Sequence, residues 1–209
     1  IFVVGDSGSS TPFLNVSGNN GNVGIPTDSP SATFSVGGNV AITGYCDGCT
    51  PSFDARAYGV TADGVTDDGP AIQNAINEAA SSAASGGDGG TVMLPKGTMI
   101  TNQQIIVRNK VRLVGQSARS SVIKAGASFP TNTPIVRLGD GTSIVFNTRV
   151  EHLTIDANSV ASSTGVYSNE AQEQSGVFNS TIENYTDVGI DFASGASIVN
   201  VESVEIHPP

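Results

Sequence analysis

The chain has 209 residues, 38% of them hydrophobic and 6% aromatic, with no Trp and a formal charge of −10 from 19 acids and nine Lys and Arg. That balance excludes a surface built on clustered Lys and Arg for a nucleic-acid backbone, and no apolar run is long enough to enter and span a bilayer. The length suits one domain with an appendage, or two small domains. Val, Ile and Ala dominate the apolar set, beside 25 Gly and frequent Ser, Thr and Asn. β-branched residues fit pleated surfaces, and Gly and Asn accept the backbone of tight turns, so this mix predicts short strands rather than a helical bundle. The opening IFVVGDSG has no basic segment and no long apolar stretch, so it does not read as a signal peptide. Starting at Ile1 without Met, the chain reads as a mature or trimmed piece, or as the ordered part of a longer protein.

The first fifty residues carry a repeat: FLNVSGN at Phe13 to Asn19 matches TFSVGGN at Thr33 to Asn39. Each copy alternates apolar and polar residues and then turns at Gly-Asn, the pattern of short strands in hairpins. So small a unit must stack on copies of itself or on other chains to bury its apolar side. The stretch GNVGIPTDSPSATFSVGGNVAITG resembles the stem repeat of bacteriophage tail and head fibres. It departs from that pattern at Pro26, where Gly is usual, and at Phe34, where Leu is usual. The resemblance implies an attachment stem over residues 1–50. Cys46 and Cys49 follow in YCDGCT. No two further ligands lie nearby to complete a tetrahedral zinc site, and no helix N-terminus follows to activate a thiol. The pair therefore reads as a short-loop disulfide or two inert thiols, with no metal.

Thr66, Asp67 and Asp68 before Pro70 write a helix N-terminus, and Ile72, Ala75, Ile76 and Ala79 then share one helical face. Ser81 to Gly90, small and Gly-rich, ends the helix. Asp63, Asp67 and Asp68 could pass for a metal cluster, but turn and cap roles account for them better. The run FDARAYGVTADGVTDDGPAIQNAINEAA, from Phe53 to Ala80, with GGTVMLPKGTMIT after it, resembles the opening of the pectate-lyase superfamily as found in phage tailspikes and secreted polysaccharide hydrolases. Mild departures fall at Ala55, Val60, Ala62, Gly69 and Met99. The resemblance implies that the helix caps the N-terminal end of a right-handed parallel β-helix over residues 51–209.

The remainder fits successive coils. Short runs recur as TVML at 91, IIV at 105, VRLV at 111, VI at 122, IVRL at 135, VEHLTID at 150, STIEN at 180 and VESVEI at 201. Ile155, Ile182 and Ile206 recur at near-constant spacing, as a stacked interior column requires when rungs lie about 4.8 Å apart. About two dozen residues per coil gives roughly five or six coils and a rise of about 30 Å. The chain stops at Pro209 directly after a strand, without a C-terminal cap, which reads as a fragment or an unseen remainder. The fold expected is therefore all-β: a right-handed parallel β-helix with an N-terminal capping α-helix, preceded by a short-stranded fibre stem.

Glycoside cleavage needs two carboxylates about 5 to 9.5 Å apart. Asp156 follows LTI, Glu183 follows STI one coil later with Glu205 beyond, and Asp187 and Asp191 bracket GI. Asp156, Glu183, Asp187 and Asp191 are thus the catalytic candidates, although strand ends and turns use such residues more often. Lys96, Lys110, Lys124, Arg108, Arg112, Arg119, Arg137 and Arg149 converge on no lyase motif, and Ser-His-Asp, Cys-His and P-loop patterns are missing. The sequons at Asn15, Asn179 and Asn184 are expected by chance in a chain this rich in Asn, Ser and Thr. The expectation is a structural virion protein: a homotrimer, bound to other virion proteins through its stem and displaying the β-helix for host-surface or glycan contact, with no cofactor. The alternative is the N-terminal part of a depolymerase tailspike, a secreted polysaccharide lyase or a glycoside hydrolase.

Overall fold

The computed structural model describes residues 2–4, 14–16, 23–24, 52–84 and 89–209. The chain divides into two compact units, Ile1–Cys46 and Asp47–Pro209. In the first, β1 (Phe2–Val4), β2 (Leu14–Val16) and β3 (Val23–Gly24) form an antiparallel sheet in chain order. The first repeat copy thus supplies strand β2, paired with β3 downstream as its alternation predicts. The second copy and the Cys46–Cys49 pair lie outside the described residues.

The second unit opens with β4 (Ser52–Asp54), a 3-10 turn at Ala55–Tyr58, β5 (Asp63–Asp67) and α1 (Gly69–Ala84). Triplets of strands follow: β6 (Gly90–Met93), β7 (Gly97–Thr101) and β8 (Ile105–Val107), then β9 (Val111–Val114), β10 (Ser121–Ala125) and β11 (Val136–Leu138). The third triplet is β12 (Arg149–Glu151), β13 (Thr154–Asp156) and β14 (Thr164–Ser168). The fourth is β15 (Gly176–Phe178), β16 (Thr181–Glu183) and β17 (Val188–Phe192), and β18 (Asn200–Glu202) and β19 (Glu205–His207) begin the next. All pair in parallel into three sheets: face A is β4-β6-β9-β12-β15-β18, face B is β5-β7-β10-β13-β16-β19, and face C is β8-β11-β14-β17. Such crossovers are right-handed, and the fold is a parallel β-helix.

Register turns sequence spacing into interior columns. Face A stacks Phe53, Val92, Leu113, Val150, Val177 and Val201. Face B stacks Met99, Ile123, Ile155, Ile182 and Ile206, which includes the predicted isoleucine column. From Val92 to Val177 and from Met99 to Ile182 every member is fully buried. The coils are less uniform than two dozen residues each. Successive face-A positions lie 39, 21, 37, 27 and 24 residues apart, because α1 fills the first coil and loops lengthen the third.

Between faces A and B the chain turns on single residues in left-handed backbone: His152 (φ 56°), Asn179 (φ 47°) and Ser203 (φ 53°). They repeat at the spacing of the coils, and the amide of each of the first two donates to the strand end one coil later, at Phe178 O and Glu202 O. This splits the run VEHLTID, expected as one segment, into β12 and β13.

The helix starts and packs as its sequence dictates. Ile72, Ala75, Ile76 and Ala79 are fully buried against β4, β6, β8 and the 3-10 turn. It ends at Ala84, inside the small, Gly-rich stretch Ser81 to Gly90 expected to stop it. The three aspartates hold backbone rather than forming a common cluster. Asp63 Oδ1 accepts the amides of Val65 and Thr66, Asp67 Oδ1 accepts that of Gly69, and Asp68 accepts those of Thr61 and Ala62 at 2.8 and 2.9 Å. Gln73 closes the free edge of face C. Its amide accepts from Ile106 N at 2.9 Å and donates to Ile106 O at 3.0 Å, standing in for a neighbouring strand.

Candidate functional site

Alternation in the strands sends every second residue outward, and register places outward residues in columns. The four carboxylate candidates divide between two faces. On face B, Lys124, Asp156, Glu183 and His207 occupy successive rungs of one outward column. On face C, Ile106, Arg137, Tyr167 and Asp191 do the same, with Asp187 just before β17. Asp156 and Glu183 are therefore rung neighbours, as the sequence implied for adjacent coils. Asp187 and Asp191 belong to a different surface.

Asp156 is spent on structure. It is 5% exposed, and its carboxylate accepts from Lys124 Nζ at 2.7 Å, Asn184 Nδ2 at 2.9 Å and Asn158 N at 2.8 Å. Burial opposes its charge, but the Lys124 ammonium and the Asn184 and Asn158 donors outweigh it and hold Asp156 below the ordinary carboxylate value. Glu183 lines a shallow groove of about 470 Å³ with Arg119, Glu205 and His207. His207 and Arg119 both reach Glu205, at 3.5 and 3.8 Å.

Four of the cations that seemed scattered along the sequence follow one rule: each pairs with an acid one coil onward. Arg108 meets Asp140, Arg112 meets Glu151, Lys124 meets Asp156 and Arg137 meets Glu170, at 2.7 to 3.1 Å. They bind successive coils together, and their sequence separations of 32 to 39 residues hide the pattern until register is known.

Face C carries a second surface groove. A groove of about 350 Å³ crosses three coils, lined by Asn132, Pro134 and Arg137, then Ser162, Thr164 and Tyr167, then Asp187 and Asp191. Arg137 is fixed from below. Its Nη2 donates to Asn169 Oδ1 at 2.8 Å and to Glu170 Oε1 at 3.1 Å, and the guanidinium lies over the Tyr167 ring, 5.2 Å from its centre. Glu170 also accepts the Gly141 amide at 2.6 Å, which anchors the loop beside the groove. Among the described residues, the Asp187 and Asp191 carboxylates have no hydrogen-bond or ion-pair partner. The groove thus offers two free carboxylates, hydroxyls, an amide and a phenol, with its one cation already neutralised.

Sequence reasoning singled out Asp187 and Asp191 but missed Arg137, Tyr167, Asn132 and Thr164 as their neighbours. The signal was the spacing: Tyr167 to Asp191 is 24 residues, the same step as Ile182 to Ile206.

Comparison with solved structures agrees with this architecture. ORF18 of Geobacillus virus E2 is 28% identical over 66% of this chain and 27% of its own, with a TM-score of 0.59. An A-module of a mannuronan C-5 epimerase from Azotobacter vinelandii is 22% identical over 73% of this chain and 47% of its own, with a TM-score of 0.53. The Streptococcus pneumoniae surface protein and adhesin PfbA is 17% identical over 74% of this chain and 41% of its own, also at 0.53. The chain therefore spans less than half the length of each. No curated protein sequence matches it. Residues 52–204, nearly all of the β-helix, match the family described as rhamnogalacturonase A/epimerase, pectate lyase-like, and the chain belongs to that family.

Proposed function

We propose that this chain is part of a bacteriophage fibre or spike, in which residues 1–50 attach to the particle as a stem and the β-helix is displayed for contact with a host-surface glycan. The observation that carries this reading is the likeness of the β-helix to a viral protein at 28% identity, beside a stem-like repeat in the first fifty residues. Homotrimer formation belongs to the same proposal. Each repeat copy brings only a few apolar residues, such as Leu14, Val16, Val23 and Ile25, so its burial requires other chains and couples folding to assembly. Light scattering on the intact chain and on a chain lacking residues 1–44 tests it. Three subunits are expected for the first and loss of trimers for the second, and a monomeric intact chain at micromolar concentration would refute it.

A second reading, a polysaccharide-cleaving enzyme, is favoured by the free Asp187 and Asp191 carboxylates in the face-C groove. Reducing-end release from a polysaccharide, abolished in Asp191→Asn, would establish that reading over the first.

A further inference from the structure

We infer that the face-C groove takes an uncharged glycan chain and rejects polyuronates. This rests on the proposal that the β-helix contacts a glycan, and it specifies the chemical class. Asp187 and Asp191 face the groove without partners, and an ionised carboxylate only accepts hydrogen bonds. The one cation, Arg137, shares its charge with Glu170 at 3.1 Å. That pairing offsets the guanidinium charge that an incoming carboxylate would meet, although Arg137 Nε is buried without a hydrogen-bond partner among the described residues.

The groove is therefore rich in acceptors and net negative, in a chain of formal charge −10. A ligand that fits it brings many donors and no negative charge. The hydroxyls of a neutral sugar chain meet that requirement, and Thr164, Asn132 and the Tyr167 phenol can answer the ring and glycosidic oxygens. A polyuronate brings a carboxylate on every ring against Asp187 and Asp191, and like charges placed together repel. Rungs about 4.8 Å apart, close to the length of one pyranose ring, let the three coils address successive sugars.

The experiment is calorimetric titration of the intact chain with cellohexaose, maltohexaose, N-acetylchitohexaose and hexagalacturonate at low and moderate salt. At least one neutral hexasaccharide should bind roughly tenfold or more tighter than hexagalacturonate at low salt, the gap narrowing as salt screens the carboxylates. Tyr167→Ala should weaken that binding, with the melting temperature recorded to confirm folding. Asp187→Lys with Asp191→Lys should shift preference toward hexagalacturonate. Hexagalacturonate binding as tightly as the best neutral probe, and doing so through Tyr167, would overturn the inference while leaving glycan contact standing. No binding by any probe would remove the glycan reading and the inference with it.

Discussion

The first coil and the rung nearest Pro209 carry the same kinds of interior residue and differ in how far they are covered within this chain. At the N-terminal end, α1 lays Ile72 and Ile76 over the first coils, and both are fully buried. Gln73 supplies the hydrogen bonds that the β8 edge lacks. At the other end, Val201 and Ile206 sit in the same columns as Val177 and Ile182, yet they are 50% and 45% exposed while the latter pair are fully buried. The outer edges of β17, β18 and β19 have no strand partner among the described residues. A column residue is thus stabilising in proportion to what lies on both sides of it, and residue type alone does not decide its contribution.

The sharpest way to break this comparison is at the cap. Ile76→Asp places an unpaired charge in an apolar contact and should destabilise by on the order of 5 kcal/mol, or prevent folding. Urea unfolding at fixed protein concentration measures it, and an unchanged midpoint would mean that α1 does not seal the first coils.

Next come two matched truncations in one column. Ile155→Ala, between filled rungs, should cost about 3–4 kcal/mol through lost burial and the cavity left behind. Ile206→Ala, half exposed on the rung nearest Pro209, should cost less than about 1 kcal/mol in this chain. Equal losses would show that position in the stack is irrelevant.

Replacing Gln73 by Leu keeps the helix propensity but leaves the Ile106 N–H and C=O unpaired. It should cost about 1–3 kcal/mol, with faster amide exchange in Ile105–Val107 as the local signature. Normal protection there would remove Gln73 from its edge-closing role.

The smallest effect is acid sensitivity at the capped end. The Thr66 amide, the Val65 amide and the Thr66 hydroxyl hold Asp63 down to about 2, from 3.8. A carboxyl depressed in the folded state stabilises it above the unfolded value, and the contribution fades as pH falls through the folded value. Stability should therefore drop between about pH 4 and about pH 2, and Asp63→Asn should flatten that part of the curve. An identical acid limb in the variant would dismiss the turn.

Much of the stack was legible in the sequence because interior columns demand large apolar residues coil after coil, and VRLV, IVRL, STIEN and VESVEI advertise them. The strands that escaped, Gly97–Thr101, Thr164–Ser168, Gly176–Phe178 and Val188–Phe192, lean on Gly, Thr, Ser and Asp. Ser168 faces inward and is satisfied by donating to Leu138 O, which leaves Val166 as the one large apolar inward residue of its strand. The cap face was legible from Ile72 and Ile76 because helical period is local. The role of Gln73 was not, because its partner lies 33 residues away. The face-C groove shared that fate: Arg137, Tyr167 and Asp191 become neighbours only once coil lengths of 30 and 24 residues are known.

The central claim, that protection in this β-helix follows the number of filled neighbouring rungs, is tested most directly by hydrogen exchange resolved along face B. Amides of β10 and β13 should exchange only with global unfolding, those of β16 somewhat faster, and those of β19 fastest. Protection that stays uniform from Ile123 through Ile206 would contradict it.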